Sequence, residues 1–191
     1  GGSGADTIEG TAGANTLIGG TQDDWIVGGT GADIIDGGTE DDTLDGGTGA
    51  DSIDGGDGAD SLLGGSGVHA DTLLGGNHAD TLEGGDGDDS LLGGSGNDVI
   101  SATAGANTLD GGNDQDSLVG GSGADSLYGG ADAASDTLAG SGGNDTLDGG
   151  SGNDSLIGGE GADSVIGGSG ADTIEGTAGA NTLMGGAEND W

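Results

Sequence analysis

The sequence of 191 residues contains no lysine, arginine, cysteine, proline or phenylalanine. Because nucleic acids and anionic membranes are bound through cationic side chains, the absence of lysine and arginine argues against both as partners. The absence of cysteine rules out a disulfide framework and leaves the redox compartment open. No apolar run approaches the roughly 18 residues of a transmembrane helix, so membrane insertion is not expected.

The residues that are present make the chain acidic and rich in glycine. Its 36 aspartate and glutamate residues give a formal charge of −36, and 53 residues are glycine. Isoleucine, leucine and valine together number 31, which is about 16% of the chain and below the roughly 20% at which a highly charged chain is expected to be disordered. Composition alone therefore excludes an ordinary globular core and predicts disorder.

The order of the residues, in contrast, is strictly periodic. From its first residue the chain divides into 21 units: eighteen of nine residues, two of eleven (64–74 and 129–139) and a last unit of seven. We number the nine positions of a unit as columns one to nine. Because no linker interrupts the units, we expect a single repeat domain that spans residues 1–191.

Two columns carry the pattern. Column eight is aliphatic in all 20 complete units, and column six is aspartate in 18 units and asparagine in three (Asn15, Asn107 and Asn181). An aliphatic residue flanked by β-tolerant residues predicts a three-residue strand, and the preceding Gly-Gly-x-Gly-x-Asp predicts a tight turn. Stacking two units per coil would collect column eight into a core. The sequence therefore predicts an all-β parallel solenoid of about ten coils, roughly 50 Å long.

The unit Gly-Gly-x-Gly-x-Asp-x-aliphatic-x holds strictly in ten units, and variants of it fill the rest. It resembles the nonapeptide of the repeats-in-toxin (RTX) family over the whole chain. The resemblance implies a parallel β-roll, which is a right-handed, β-helix-like solenoid with calcium ions between successive turns on each edge. It also implies that turn carbonyls and the column-six aspartates are the ligands. These aspartates are Asp6, Asp24, Asp33, Asp42, Asp51, Asp60, Asp71, Asp80, Asp89, Asp98, Asp116, Asp125, Asp136, Asp145, Asp154, Asp163, Asp172 and Asp190.

Charge and ligand chemistry agree with calcium, a hard cation that takes six to eight oxygen ligands. Carboxylates stacked about 5 Å apart repel one another unless a cation lies between them. Counting the gaps between successive turns on each edge predicts about 15 sites bordered by two aspartates, whose ions would nearly neutralise the chain. The four gaps beside Asn15, Asn107 and Asn181 are predicted to be weak or vacant. The sites beside the units 64–74 and 129–139 are left open.

Weak calcium sites of this kind fill at the roughly 10⁻⁴–10⁻³ M calcium found outside cells, so we expect a secreted or cell-surface protein that folds when calcium binds. We expect a structural rod, spacer or fibre segment of a large bacterial protein of the adhesin or surface-layer type. Two alternatives stay open: a calcium-triggered folding and secretion module of a secreted enzyme or toxin, and a flat face that binds ice or a polysaccharide. An enzyme is not expected, because no motif joins a nucleophile to a base.

A longer repeat lies above the nonapeptide. Segment 1–25 recurs as 167–191, so that Trp25 recurs as Trp191, and the chain starts without methionine. We therefore expect a fragment of a longer chain that continues in like manner. Both tryptophans fall in column seven, which points outward, and exposed tryptophan often anchors a contact. They are candidates for a partner contact or for end-to-end or lateral self-association.

Overall fold

The computed structural model describes residues 1–191, which form strands and turns and no helix. It therefore contains no helix long and apolar enough to cross a membrane. The 21 strands are, in chain order, β1 (Gly2–Ser3), β2 (Thr7–Glu9), β3 (Thr16–Thr21), β4 (Trp25–Thr30), β5 (Ile34–Thr39), β6 (Thr43–Thr48), β7 (Ser52–Asp57), β8 (Ser61–Leu63), β9 (Thr72–Asn77), β10 (Thr81–Glu83), β11 (Ser90–Ser95), β12 (Val99–Ser101), β13 (Thr108–Asn113), β14 (Ser117–Ser122), β15 (Ser126–Gly130), β16 (Thr137–Gly142), β17 (Thr146–Ser151), β18 (Ser155–Glu160), β19 (Ser164–Ser169), β20 (Thr173–Glu175) and β21 (Thr182–Ala187).

The strands form two parallel sheets, one with the 11 odd-numbered strands and one with the 10 even-numbered strands. Consecutive strands alternate between the sheets, so each coil contributes one strand to each. Paired residues are 18 apart, as for Leu109 beside Leu91, and 20 apart where the pair spans an 11-residue unit, as for Leu73 beside Ile53. The predicted parallel β-solenoid with two units per coil and about ten coils is confirmed.

The strands are longer than the predicted three residues. Most contain six, made of columns seven to nine of one unit and columns one to three of the next. Columns one and two of these strands are glycine except in β16, which has Ser141 at column two with φ of 78°. At a column-two glycine an added Cβ would come close to the coil below. A Cβ on Gly168, for example, would lie 2.1 Å from the carbonyl oxygen of Gly150. Five strands, β2, β8, β10, β12 and β20, stay at three residues. Three of them are followed by a unit with threonine at column two (Thr11, Thr103 and Thr177), and β8 and β10 are followed by glycine (Gly65 and Gly85).

Column eight forms the core, as predicted. From Ile26 to Val165 every column-eight side chain is at most 2% exposed. At the two ends of the solenoid the core is not covered by a further coil, so Ile8 is only partly buried and Leu183 is 46% exposed. From β4 to β19 each strand contributes one large buried side chain to the core, so the hydrophobic layer is thin and every member of it matters.

The core predicts a sharp contrast within strand β14. Leu118 is fully buried, whereas its neighbour Val119 is 38% exposed. We expect Leu118→Ala to lower the free energy of unfolding in saturating calcium by about 2–5 kcal/mol, because it leaves a cavity. Val119→Ala should cost less than about 0.5 kcal/mol. Urea unfolding followed by circular dichroism measures both, and equal effects would contradict the assigned core.

Candidate metal centre

The column-six aspartates form one ladder along each edge of the solenoid. Sixteen of the 18 are buried, and Asp6 and Asp190 in the terminal turns are half-buried. Strand pairing holds the rungs in place, because the amide of column seven donates to the column-six carbonyl of the preceding turn on that edge. Ser155 N donates to Asp136 O at 2.8 Å in this way. All of the predicted site residues therefore lie in the two ladders.

One oxygen of each inner rung is fixed by the backbone of the preceding rung. The amide N of Asp136 donates to Oδ1 of Asp154 at 2.9 Å, and Asp154 N donates to Oδ1 of Asp172 at 2.9 Å. The ladder also passes through the 11-residue unit 64–74, where Asp51 N donates to Asp71 Oδ1 at 2.8 Å. The inserted residues leave the aspartates in register.

The second oxygen of the same carboxylate is buried and has no hydrogen-bond partner. Burying a charged oxygen without a partner carries a large desolvation cost, so a missing partner is implied. Fifteen rungs share this unpartnered Oδ2: Asp24, Asp33, Asp42, Asp51, Asp60, Asp80, Asp89, Asp98, Asp116, Asp125, Asp136, Asp145, Asp154, Asp163 and Asp172.

In twelve of the fifteen rungs the unpartnered oxygen lies near a backbone carbonyl of the following turn on its edge. A Cβ on the column-one residue Gly149 would lie 2.5 Å from Asp154 Oδ2 and 2.7 Å from the carbonyl oxygen of Gly167. A Cβ on Gly167 would likewise lie 2.3 Å from Asp172 Oδ2 and 2.6 Å from the carbonyl oxygen of Gly185. Carboxylate and carbonyl oxygens thus converge beside the column-one glycine, and only the absence of a side chain there leaves room for them.

Burial makes these carboxyl groups harder to ionise. Desolvation raises the pKa of Asp116 to about 7, and the charges of Asp98 and Asp136 in the neighbouring rungs add to the increase. The hydrogen bond from the amide of Asp98 to Asp116 acts in the opposite direction and only partly offsets it. Desolvation also raises the pKa to about 7 for Asp80 and to about 6 for Asp42, Asp71, Asp98, Asp145 and Asp154.

A second ladder at column five was not predicted from the sequence. The amide N of Ala162 donates to Asn144 Oδ1 at 2.8 Å, and Ala106 N donates to Asp88 Oδ1 at 2.8 Å. Here the later turn donates to the earlier one, which is opposite to the direction at column six. Asparagine or aspartate at column five was the available signal, but its partner is known only once the turns are stacked.

The match to known repeats covers the same units as the ladders. The model of the RTX calcium-binding nonapeptide repeat matches residues 1–35, 36–68, 69–100, 101–134, 131–165 and 157–191. Since these matches together span the chain, the chain belongs to the family of RTX calcium-binding nonapeptide repeats. Comparison with curated protein sequences gives no match. The family implies calcium as the ligand, and β-rolls of this kind are typically structural.

The donor set fits calcium. The ladders offer unpartnered carboxylate oxygens and backbone carbonyls, which are the ligands calcium prefers. Nowhere do three carboxylate or imidazole side chains come together in a way that would hold a metal ion. Calcium would therefore draw on two successive rungs and complete its shell with turn carbonyls. Bound there, it would supply positive charge to the oxygens that have no donor.

Column-one glycine is predicted to be essential for this arrangement. In Gly149→Ala the new methyl group would overlap Asp154 Oδ2 and the Gly167 carbonyl. We expect a loss of about 1–3 kcal/mol of stability in calcium, as for overpacking elsewhere. Ser151→Ala, two residues away on the same strand β17, is the control and should be within about 0.5 kcal/mol of wild type. If Gly149→Ala unfolded at the wild-type denaturant midpoint in calcium, the claim that column one has no room for a side chain would be contradicted.

The raised pKa values predict that acid stabilises the metal-free fold. Asp80 and Asp116 have folded pKa values of about 7, above the ordinary value of 3.8. Their contribution to stability is therefore fully present below about pH 4 and is lost as the pH rises through about 6 to 7. In chelator, circular dichroism should show more β-structure at about pH 4.5 than at about pH 8. The reverse order in chelator would show that the carboxylates are not buried as described.

Proposed function

We propose that this chain is a calcium-dependent structural rod. The observation that carries the proposal is the row of buried, unpartnered Oδ2 atoms on both edges. They recur at each turn, so the need for positive charge is spread evenly along the solenoid. The 18 column-six aspartates are the proposed ligands, and the charge count supports about 15 ions per chain.

The rest of the molecule offers no substitute for those ions. With no lysine or arginine, the 36 acidic residues have no cationic partner except the two histidines and the N-terminal amine. The aliphatic core is one side chain deep, and fixing 53 glycines costs more backbone entropy than fixing other residues. Calcium binding would supply the missing free energy, so that binding and folding occur together.

A rod of this kind suits the outside of a bacterial cell. RTX repeats are typical of secreted bacterial proteins, and weak calcium sites fill at extracellular calcium concentrations. We propose that the chain acts as a spacer or fibre segment in a secreted or surface protein of the adhesin type. Trp25, 45% exposed, and Trp191, 88% exposed, are the proposed points of lateral or end-to-end self-association.

Small-angle scattering tests the proposal directly. In about 1 mM calcium the chain should have the radius of gyration of a compact 191-residue domain, about 16 Å. In chelator it should expand toward the roughly 47 Å expected of an unfolded chain of this length, because the stacked carboxylates repel. Magnesium at the same concentration is the control. It should compact the chain less, since it keeps its waters and demands rigid octahedral geometry.

The same radius in chelator and in calcium would contradict the proposal, whichever value it took. A compact particle in chelator would mean that the solenoid stands without ions. An expanded chain in millimolar calcium would mean that the ladders do not bind the ion at extracellular concentrations.

Conditional folding also supports a second function, a calcium-triggered folding and secretion module attached to a secreted enzyme or toxin. The same Oδ2 rows would keep such a module unfolded at low cytosolic calcium and fold it outside the cell. A catalytic domain beside these repeats in the parent chain would favour this function. Many further nonapeptides beside them would favour the rod.

A flat binding face receives less support. The structure aligns the column-three residues Thr21, Thr39 and Asp57 on one edge of the solenoid. The row continues through Asn77 and Ser95, so its chemistry changes from rung to rung. An array that matched ice would repeat one side chain, and thermal hysteresis in a calcium-loaded sample would be needed to revive this alternative.

A further inference from the structure

Asn107 occupies a rung of the ladder, and the backbone fixes the orientation of its amide. The amide N of Asp89 donates to Asn107 Oδ1 at 2.9 Å, as it would to an aspartate. The NH2 group of Asn107 therefore takes the place that the unpartnered Oδ2 has in other rungs. At Asn181 the same orientation is fixed by the amide of Asp163, also at 2.9 Å.

The amide nitrogen of Asn107 lies among oxygens. Its Nδ2 is 3.0 Å from Oδ1 of Asp125, the next rung, and 3.4 Å from the carbonyl oxygen of Gly120. The carbonyl oxygen of Gly105 in its own turn is 3.5 Å away. All three are acceptors, so the NH2 group supplies the positive partial charge that this gap needs.

Asn15 repeats the arrangement near the N-terminal end of the same edge. Its Nδ2 is 2.9 Å from Asp33 Oδ1, 3.5 Å from the Gly28 carbonyl oxygen and 2.6 Å from the Gly13 carbonyl oxygen. These oxygens come from the same columns as those around Asn107. Two independent turns thus place an amide nitrogen where the aspartate rungs leave oxygens facing oxygens.

We propose that column-six asparagine is a built-in substitute for calcium, and that it replaces the ion on one side only. The inference rests on the proposed calcium ladder. Asparagine closes the gap that follows it, toward Asp125 or Asp33, through its NH2 group. The gap that precedes it keeps its ion, because the Oδ2 atoms of Asp89 and Asp163 are buried and unpartnered, as in the other aspartate rungs.

Because asparagine replaces the ion only in the gap that follows it, the set of gaps expected to bind calcium changes. The sequence alone predicted that all four gaps beside the asparagines are weak or vacant, whereas the geometry closes only two, Asn15–Asp33 and Asn107–Asp125. Seventeen gaps begin with an aspartate, against fifteen bordered by aspartates on both sides. The two additional sites are Asp89–Asn107 and Asp163–Asn181.

Ala102 supports the substitution at Asn107. Column one is glycine in every unit except this one, and Ala102 is 8% exposed and joins the core cluster. At most other units a column-one Cβ would overlap both the aspartate Oδ2 and the carbonyl of the following turn, as described for Gly149. The unit of Asn107 accommodates this methyl group, whereas in the unit of Asn15 a Cβ on Gly10 would lie 2.0 Å from the carbonyl oxygen of Gly28, so the tolerance is specific to this unit. Installing an ion site at residue 107 therefore requires the change to glycine at residue 102 as well.

Native mass spectrometry of the full chain in calcium tests the proposal, because it counts bound ions as integers. Asp89→Asn should lose one calcium, since the gap before Asn107 is filled in the wild type and would be closed by the new amide. Asp154→Asn should also lose one, because both turns that border its gap follow the strict pattern. The double variant Ala102→Gly with Asn107→Asp should gain one.

Each arm has an outcome that overturns the inference. An unchanged ion count in Asp89→Asn would mean that the gap before Asn107 was already vacant and that the replacement is not one-sided. An unchanged count in Asp154→Asn would mean that an asparagine amide does not exclude the ion. If the double variant does not fold, these two single variants still decide the question.

The failure of the calcium ladder itself is distinguishable from the failure of this inference. A folded wild-type chain that carries no calcium would remove the ladder and leave nothing for asparagine to replace. A wild-type chain with many ions and single variants with the same number would remove only the role of the amide. Side-chain amide exchange of Asn107 gives a second readout, since its donated protons should be protected in the calcium-loaded chain.

Discussion

Each coil of this solenoid buries two carboxylates, and one oxygen of nearly every carboxylate meets other oxygens and no donor. That contact is unfavourable in the absence of a cation, and it recurs along both edges. The carboxylates cannot move apart, because the parallel ladder sets the spacing of the coils at about 4.8 Å. The fold therefore concentrates negative charge along two lines, and the proposed calcium ions would hold neighbouring turns together by neutralising it.

Other features of the chain follow from this constraint. Glycine at column one leaves room beside the carboxylate, and glycine at most column-two positions avoids a close contact with the coil below. Where another residue replaces glycine at column four, as at Gln22 and Glu40, its backbone adopts the left-handed conformation, with φ of 73° and 70°. Under the proposed function the hydrophobic core can remain thin, because it aligns the coils while calcium would join the edges. At Asn15 and Asn107 the side-chain NH2 group donates to the aspartate of the next rung. There a donor from the chain itself supplies the positive charge that the oxygens lack.

Much of the fold was predictable because its period is in the sequence. The aliphatic residue at column eight and the aspartate at column six fixed the core, the two units per coil and the ladders. Strand length was not predictable, since columns one to three extend the strands only when the coils stack closely. The sequence did not predict whether the sites beside the two 11-residue units are intact. In the structure the extra residues lie outside the strand register, and Asp71 stays in line with the ladder. The sequence also did not predict the direction of the hydrogen bonds in the ladder, in which the amide of each rung donates to the carboxylate of the following rung. Which oxygen of Asp154 accepts from the backbone depends on the three-dimensional offset of two turns that are 18 residues apart.

The most direct measurement is a crystal structure of the chain grown in calcium, with anomalous scattering recorded to locate the ion. The account predicts a row of calcium peaks along each edge, one beside the Oδ2 of each buried aspartate from Asp24 to Asp172 and none between Asn107 and Asp125. Coils folded as described here, with aspartate rungs and no anomalous density between them, would contradict it.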